Sequence, residues 1–435
     1  MRVVRATAGW RARNVIVFPI GKIPSRLQSF FRRLAPLVHK PVFEHLWRYV
    51  LAVAIASGRR NVERLRGCMD SGACRQNVTD FLIAAPWDCA KVLREAVLQV
   101  IEKARIAYGA RMYLILDGSK KGKRGKKMEG AHSYYVPMGG KKGFGHQFFL
   151  GALRVGHVVV PWDIKLYAPR PFARSERGKD LGIKYRTLNE LAARIIEEFP
   201  PELALRFQLV VLFDAGLFNE TVVAACEKRK FSWISRAWKN RAFWPDGRKG
   251  KVSVQSHAPG VLRYSGQEIR LPAVRGQSRF IVAARDGRMR KMDRVRAVFS
   301  RRKSDGNLIC LVTNDFSLCA RDVILAYTQR WSIEVLIKQL KQCLGLGDYR
   351  TGSFVGVQRH LSLVCLAHLA LTHLGLQASK LPSDNANKTL KLPSIEALQD
   401  NLRGMVWRDH ASRIRRWKNG KNLSRALQKL LEHAA

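Results

Sequence analysis

Apolar residues in the first quarter of the chain recur at steps of three and four residues. This period runs from Val42 to about Ala107 and is typical of amphipathic helices. A glycine and several polar residues between Ser71 and Val78 interrupt it, which predicts a turn between two helices. A helix-turn-helix is one arrangement that fits this pattern. The first part of the chain is therefore predicted to be helical.

The hydrophobic period then changes, and short apolar runs bounded by Gly, Pro or charged residues predict buried strands. The predicted strands are Met112–Leu116, Phe148–Val155, His157–Pro161, Leu209–Phe213, Phe231–Ser235 and Leu308–Thr313. Longer amphipathic segments predict helices between and after them. The predicted helices are Tyr185–Phe199, Leu217–Lys228, Leu325–Leu344 and Val355–Leu376.

Residues 237–307 differ from both of their neighbours, because they are rich in Gly, Arg and short alternating runs, which predict a β-rich insertion. The order of elements around this insertion, which ends in a carboxylate-bearing helix, is that of an RNase H-like α/β domain. We therefore predict an α/β fold in which residues 106–236 and 308–380 form an RNase H-like domain, a mixed sheet flanked by helices. Residues 1–105 are predicted to be a basic, α-helical N-terminal domain, and residues 381–435 a linker and a basic helical C-terminal tail.

Basic residues dominate the charge of the chain, with 78 Lys and Arg against 33 Asp and Glu and a net charge of +45. Such an excess favours a polyanionic partner, and nucleic acid is the usual one. A membrane surface is the alternative. The most apolar helical stretch, Leu361–Leu376, is short for a membrane span and carries two histidines, so we predict a buried core helix and no membrane association.

The N-terminal segment contains no acidic residue before Glu44, which fits either a DNA-contacting arm or a transit peptide. We favour the arm, because the basic bias continues along the whole chain. The eight cysteines form no Cys-x-x-Cys pair and no cluster with zinc-ligand spacing. They are predicted to be buried thiols in a reducing compartment, consistent with a cytoplasmic location.

Two aspartates occupy the same local setting, since Asp117 and Asp214 each follow a five-residue apolar strand and precede a small residue. Ligands bind at the carboxyl ends of strands in α/β sheets, so neighbouring strands would bring these carboxylates together. Two close carboxylates need a cation between them, and oxygen ligands favour Mg²⁺ or Mn²⁺. For each aspartate taken alone, a turn or a helix N-cap is an equally good interpretation.

The predicted helix from Tyr327 to Lys341 supplies a third acid. At about 100° per residue, the polar residues Tyr327, Arg330, Glu334 and Lys341 fall on one stripe, and Lys338 lies close to it. A solvated face with an i,i+4 pair between Arg330 and Glu334 is the simpler interpretation. The alternative is that Glu334 completes the metal site while the cations hold phosphates.

The spacing of Tyr327, Arg330, Glu334 and Lys341 resembles the signature of a large group of bacterial insertion-sequence transposases of the DDE type. Asp117 and Asp214 resemble the first and second catalytic aspartates of that group, and residues 237–307 resemble its insertion domain. The resemblance covers roughly residues 105–380. The Gly-Ser-Lys that follows Asp117 departs from the residues often found there, which leaves the subgroup open.

This resemblance implies a mechanism and a set of partners. Asp117, Asp214 and Glu334 would hold two Mg²⁺ ions, with Mn²⁺ able to substitute, for phosphodiester hydrolysis and strand transfer. Arg330, Lys338 and Lys341 would hold backbone phosphates, and Tyr327 would contact a phosphate beside the cut. The DNA partners would be the transposon ends and the target, bound by a homodimer in the bacterial nucleoid. Residues 1–105 would bind the DNA ends, and residues 106–236 and 308–380 would form the catalytic domain.

Four further residues are candidates for DNA contact. Lys120 and Lys121 begin a Lys- and Gly-rich stretch that is predicted to be a loop following the phosphate backbone, or simply a solvated loop. Trp238 and Trp244 could stack on a flipped base, with core packing as the alternative. His146 and Asp163 are interpreted as a structural histidine and as a turn or salt-bridge partner.

Two other functions remain compatible with the sequence. A structure-specific, metal-dependent DNA nuclease would share the fold but would produce no joined product. A non-catalytic protein that binds or packages nucleic acid would rely on the net charge of +45 and would not depend on Mg²⁺.

Overall fold

The computed structural model describes residues 17–69, 74–125, 127–135, 142–273, 276–378 and 392–415. The N-terminal arm up to residue 16, most of the predicted linker and the tail beyond Arg415 lie outside the described residues, as does part of the turn predicted at 71–78. Contacts between Cα atoms divide the chain into two compact units. One comprises the chain up to Lys103 and from Gln339 onward, and the other comprises Ala104–Lys338.

The second unit contains a mixed sheet that has 12 strands in the described part of the chain, in the order β2-β3-β1-β5-β6-β12-β11-β10-β7-β8, with β4 paired to β3 and β9 to β10. The strands are β1 Arg111–Gly122, β2 His132–Tyr135, β3 Lys142–Val155, β4 Val158–Leu166, β5 Gln208–Phe213, β6 Ser232–Arg236, β7 Ala242–Pro245, β8 Val252–Ser253, β9 Gln267–Ala273, β10 Gly276–Met289, β11 Arg294–Arg302 and β12 Leu308–Thr313. The strands from residues 237–307 therefore pair within the same sheet as β1, β5 and β6.

The helices are distributed over both units. They are α1 Gln28–Leu34, α2 Lys40–Ile55, α3 Val62–Arg66, α4 Arg75–Ile83, α5 Cys89–Lys103, α6 Arg170–Arg174, α7 Glu176–Asp180, α8 Leu188–Glu197, α9 Pro201–Arg206, α10 Glu220–Lys228, α11 Val254–Ser265, α12 Ala320–Thr328, α13 Trp331–Gln342, α14 Phe354–Ala378 and α15 Ile395–Arg415. Short 3-10 turns at Ser25–Leu27 and Ala35–Leu37 flank α1.

The centre of the sheet is built from apolar strands whose pairing fixes their direction. Strand β1 is antiparallel to β3 along its whole length and parallel to β5 from Arg111 to Ile115. Strand β6 runs parallel to β5, and β12 is antiparallel to β6. The inner residues of β5 are buried, which suits a central strand covered on both faces. The mixed sheet flanked by helices agrees with the predicted α/β class.

The core of the first unit is the helix α14, which packs on α2, α5 and α15. It is long and apolar enough to cross a membrane, but 89% of its most apolar window is buried inside the protein. Some of its polar side chains have internal partners: the Nδ1 atom of His360, for example, lies 2.8 Å from the Tyr49 hydroxyl. The interpretation of this segment as a buried core helix is confirmed.

Three local predictions differ from the structure. Strand β1 does not end at Asp117 but continues to Gly122, because β3 pairs with it as far as Gly145, so Lys120 and Lys121 lie in a strand and not in a loop. The single helix predicted over Leu325–Leu344 is two helices, α12 and α13. A turn at Gln329 and Arg330, with hydrogen bonds spanning three residues, separates them.

Two minor interpretations are confirmed. His146 is buried, and its Nε2 atom lies 2.9 Å from the carbonyl oxygen of Glu129. Asp163 forms an ion pair with Lys165 at 2.9 Å. Two further predictions differ from the structure. Helix α8 begins at Leu188, slightly later than predicted, because Thr187 and Glu190 form a capping box at its N-terminus. The cysteines were predicted to be buried, but Cys74 and Cys319 are exposed.

Candidate active site

The register of the central strands brings the two aspartates level with each other. Ile115 of β1 is paired with Leu212 of β5 in the parallel ladder. Asp117 and Asp214 each lie two residues further along, so they occupy equivalent positions on adjacent parallel strands. Asp214 immediately follows the end of β5, whereas Asp117 lies within β1, where it pairs with Leu150 on the other side.

Asp117 feels the charges of both other candidate acids. Burial and then the negative charge of Asp214 raise the pKa of Asp117 to about 6, and the charge of Glu334 acts in the same direction. The backbone N–H of Gly118, which donates to Oδ1 at 2.8 Å, and the positive charge of Arg330 oppose this rise. A carboxylate beside two others is the arrangement that a divalent cation relieves.

Asp214 also organises the turn after β5. Its Oδ1 atom accepts hydrogen bonds from the backbone N–H groups of Gly216 at 3.0 Å and Leu217 at 3.2 Å. The hydroxyl of Ser235 donates to the backbone carbonyl of Asp214 at 3.2 Å. The turn-forming role considered for this residue is therefore present, and it holds an exposed carboxylate at the edge of the sheet.

Glu334 lies in the first turn of α13 and is held by Arg330. The guanidinium of Arg330 donates to the Glu334 carboxylate at 2.6 Å. Burial alone would lower the pKa of Arg330. The hydrogen bond to Glu334 and the electrostatic effects of Tyr327, Glu334 and Asp117 outweigh burial, so the Arg330 pKa is raised. The i,i+4 pair expected from the sequence is present, and Arg330 lies near both Asp117 and Glu334.

Tyr327 lies at the end of α12 and is half-buried. Burial raises the pKa of its hydroxyl to about 12, with Asp214 acting in the same direction and Arg330 and Arg236 against it. The guanidinium carbon of Arg330 lies 5.8 Å from the centre of the Tyr327 ring. Tyr327 therefore remains protonated at neutral pH and can donate a hydrogen bond.

The remaining predicted phosphate ligands lie in two places. Lys338 and Lys341 follow Glu334 on α13, and Lys338 is exposed. Lys120 and Lys121 lie in β1 beyond Asp117. The Lys120 ammonium donates to the carbonyl of Tyr135 at 2.9 Å and lies 5.2 Å from the centre of the Tyr134 ring.

The two candidate tryptophans have different surroundings. Trp238 follows β6 by two residues and is 59% exposed. Trp244 lies in β7, is half-buried and is paired across the sheet with Arg288. An exposed ring can stack on a base without repacking the protein, so the structure favours Trp238 over Trp244 as a stacking candidate.

One functional candidate was missed at the sequence level. Arg236 ends β6, and because Phe213 pairs with Ser235, Arg236 is level with Asp214 on the next strand. The only sequence indication was that Arg236 directly follows the predicted strand Phe231–Ser235. Asp117 and Asp214 likewise directly follow predicted strands.

The donor atoms near Asp117 fit a hard divalent cation better than zinc, because they are carboxylate oxygens without thiols or imidazoles. Among the described residues, no three His, Cys, Asp or Glu side chains converge as a ready-made metal cage. The ion pair between Glu334 and Arg330 agrees with this absence of a cage, because the carboxylate of the third acid is bound to a guanidinium. Strand register makes Asp117 and Asp214 the two candidate cation ligands that lie level with each other, and Glu334 could join them once Arg330 releases it.

A mixed sheet flanked by helices, with acids level on neighbouring strands, is consistent with an RNase H-like domain of the DDE type. A family model described as a DDE superfamily endonuclease matches residues 34–297. That match spans more than half of the 435 residues. The chain belongs to the DDE superfamily of endonucleases.

A second family model, described as archaeal putative transposase ISC1217, matches residues 294–380, which include Glu334. The two matched ranges together include Asp117, Asp214 and Glu334. No curated protein matches the chain.

Proposed function

We propose that this protein is a DNA transposase that cuts the ends of an insertion sequence and joins them to target DNA. The observation that carries the proposal is the position of Asp117 and Asp214 at equivalent points of two parallel strands, with Glu334 close enough to raise the pKa of Asp117. Membership of the DDE superfamily supports it.

Asp117, Asp214 and Glu334 would hold two Mg²⁺ ions. When bound, such ions lower the pKa of water and stabilise the leaving oxygen in an in-line displacement at phosphorus. The protein would orient the DNA around them: Arg330, Lys338 and Lys341 carry positive charge for the backbone phosphates, and Tyr327 is protonated and can donate to a phosphate oxygen. Lys120, Lys121 and Trp238 would extend this DNA-binding surface.

The remaining features of the proposal concern organisation. We propose that residues 1–105 bind the element's ends, that residues 106–236 and 308–380 form the catalytic domain and that residues 237–307 form the insertion. A homodimer would pair the two ends. The bacterial insertion-sequence subgroup with the Tyr-Arg-Glu-Lys spacing, and an activity in the nucleoid, remain predictions.

A paired-end strand-transfer assay tests this function. The substrate is a linear duplex that carries the genomic DNA flanking the coding region on both sides, with Mg²⁺ or Mn²⁺ present. We expect joined products from the wild type, and neither cleavage nor joining from Asp117→Asn, Asp214→Asn or Glu334→Gln, all of which should still bind the ends. Asp180→Asn, the same chemical change at an exposed position of α7, is the matched control and should remain active.

Three outcomes would contradict the proposal. Full cleavage by Asp214→Asn in Mg²⁺ would remove the assigned site. Cleavage without any joined product would point to a structure-specific nuclease. Binding that is indifferent both to Mg²⁺ and to the three substitutions, with no cleavage, would point to a non-catalytic nucleic-acid-binding protein.

A further inference from the structure

Arg236 occupies a distinctive position in the sheet. The ladder between β5 and β6 pairs Phe213 with Ser235, so the next residues on the two strands are Asp214 and Arg236. Phe213 and Ser235 are buried, whereas Asp214 and Arg236 are exposed. Asp117, Asp214 and Arg236 are therefore level on three neighbouring parallel strands, and the third strand carries a cation where the other two carry acids.

The guanidinium of Arg236 is available for a ligand. It forms no hydrogen bond or ion pair with any residue in the part of the chain that the structure describes, and it is exposed. Its charge nevertheless acts on Tyr327, which also responds to the charge of Asp214. Arg236 thus lies beside the candidate active site but bonds to none of its described residues.

Arg330 contrasts with Arg236 in this respect. Arg330 is mostly buried and is bonded to Glu334 at 2.6 Å, so binding of a phosphate by Arg330 would have to compete with that carboxylate. An uncommitted arginine can instead offer its planar fork of N–H donors to two phosphate oxygens at once. A cation at this point would also offset the repulsion between Asp214 and a DNA phosphate.

We propose that Arg236 is a substrate-binding residue of the active site that holds a DNA backbone phosphate next to the scissile bond. This inference rests on the proposed function, because it takes a DNA phosphodiester as the substrate of the site.

The experiment is a double-mutant cycle in which Arg236 is substituted and single DNA phosphates are neutralised, singly and together, while DNA binding is measured. Duplexes that carry one neutral methylphosphonate at each position around the cleavage site are bound, in the presence of Ca²⁺, by the wild type and by Arg236→Gln. For the wild type, we expect one position beside the cut at which neutralisation weakens binding about tenfold, which corresponds to about 1.4 kcal/mol. Arg236→Gln should bind the unmodified duplex about tenfold more weakly and lose nothing further at that position.

Two control variants separate a specific contact from general loss of charge. Arg174→Gln removes the same charge from an exposed position on α6 and should retain the full position-specific loss. Arg236→Lys keeps the charge without the planar fork and should recover part of the affinity. Melting temperatures of the variants should match that of the wild type, because the Arg236 side chain is exposed and bonds to none of the described residues.

The proposal is overturned if Arg236→Gln shows the full wild-type loss at every methylphosphonate position. Its failure can be distinguished from failure of the proposed function by the cleavage reaction of Asp214→Asn. If cleavage requires Asp214 but the cycle shows no coupling, only the role of Arg236 is wrong. If Asp214→Asn cleaves normally, the assigned active site itself is wrong.

Discussion

Arg330, in the turn just before α13, donates a hydrogen bond at 2.6 Å to Glu334 in the first turn of that helix. The guanidinium therefore holds the acid that would complete the metal site. Because a carboxylate oxygen bonded to a guanidinium is less available to a cation, the ion pair and metal binding by Glu334 should compete. DNA could shift this balance if a phosphate drew Arg330 away from Glu334.

The substitution Arg330→Gln should strengthen metal binding in the absence of DNA. It removes the competing cation while leaving Glu334, Asp117 and Asp214 in place. Half-buried ion pairs of this kind contribute roughly 0.5–1 kcal/mol, so we expect the affinity for Mn²⁺ to rise about two- to fivefold. Titration of the DNA-free protein, followed by the electron paramagnetic resonance of free Mn²⁺, measures the change.

Arg174→Gln serves as the control for this titration, because it lowers the net charge equally at an exposed site on α6. It should change the Mn²⁺ affinity by much less than Arg330→Gln does. An affinity that is unchanged or weaker in Arg330→Gln would show that the ion pair does not restrain Glu334.

The pKa of Asp117 predicts how stability depends on pH in the metal-free protein. Burial and the charge of Asp214 raise this pKa to about 6, above the ordinary value of 3.8. Between these values the folded protein binds the proton more tightly than the unfolded chain, so the free energy of unfolding falls as the pH rises, and the penalty persists above pH 6. Asp117→Asn should therefore be more stable than the wild type at pH 7.5, by on the order of 1–2 kcal/mol.

Urea unfolding in the presence of a chelator measures this difference. At pH 4 the advantage of Asp117→Asn should largely disappear, because the wild-type carboxyl is then mostly protonated in the folded state and partly protonated in the unfolded chain. Asp180→Asn, at an exposed position, should follow the wild type at both pH values. Equal stability of Asp117→Asn and the wild type at pH 7.5 would mean that the crowding of carboxylates is not felt in solution.

The sequence predicted the parts of the site that depend on hydrophobic period. Apolar runs before Asp117 and Asp214 were sufficient to predict buried strands, because a fully buried strand needs an unbroken apolar sequence. Glu334 and Lys341 share α13 as helical geometry predicted, but Tyr327 lies on α12 and Arg330 in the turn between the two helices, so the four residues do not form one stripe on a single helix. The burial of α14 followed from its apolar composition together with its histidines, which suit a protein core better than lipid.

Pairing between distant strands was not predictable in the same way. The continuation of β1 past Asp117 depends on β3, whose residues 145–150 lie opposite the polar half of β1. The role suggested for Arg236 depends on the register between β5 and β6, which no local pattern encodes. The break between α12 and α13 at Gln329 and Arg330 falls within an uninterrupted helical pattern, so tertiary packing and not local propensity decides it.

Trp238 and Trp244 should differ in their contributions to strand processing. Trp238 is 59% exposed and follows β6, whereas Trp244 is half-buried in β7. If Trp238 stacks on a displaced base, Trp238→Ala should preserve the first nick and reduce second-strand processing by roughly 5- to 150-fold, equivalent to the 1–3 kcal/mol typical of base stacking. Trp238→Phe should recover part of this loss because it restores an aromatic face.

Time courses of nicked and doubly cut products provide the measurement. Trp244→Ala should instead lower the melting temperature and slow both steps together, as expected for a side chain that packs in the sheet. A Trp238→Ala enzyme that carries out both steps at the wild-type rate would exclude a stacking role for this residue.

The buried histidines of α14 should make the first unit sensitive to acid. Burial lowers the pKa of His368 to about 4, from an ordinary value of 6.5. Between these values the unfolded chain binds the proton and the folded protein does not, so the free energy of unfolding falls as the pH drops through this range. His368 alone should account for about 2 kcal/mol of the stability lost between pH 7.5 and pH 5.

In His368→Gln that contribution should be absent, so the variant should lose correspondingly less stability than the wild type when both are unfolded in urea at the two pH values. His39→Gln, which changes an exposed histidine of the same unit, should lose as much as the wild type. A His368→Gln variant with the same pH dependence as the wild type would mean that acid opens the core of α14 before this imidazole is protonated.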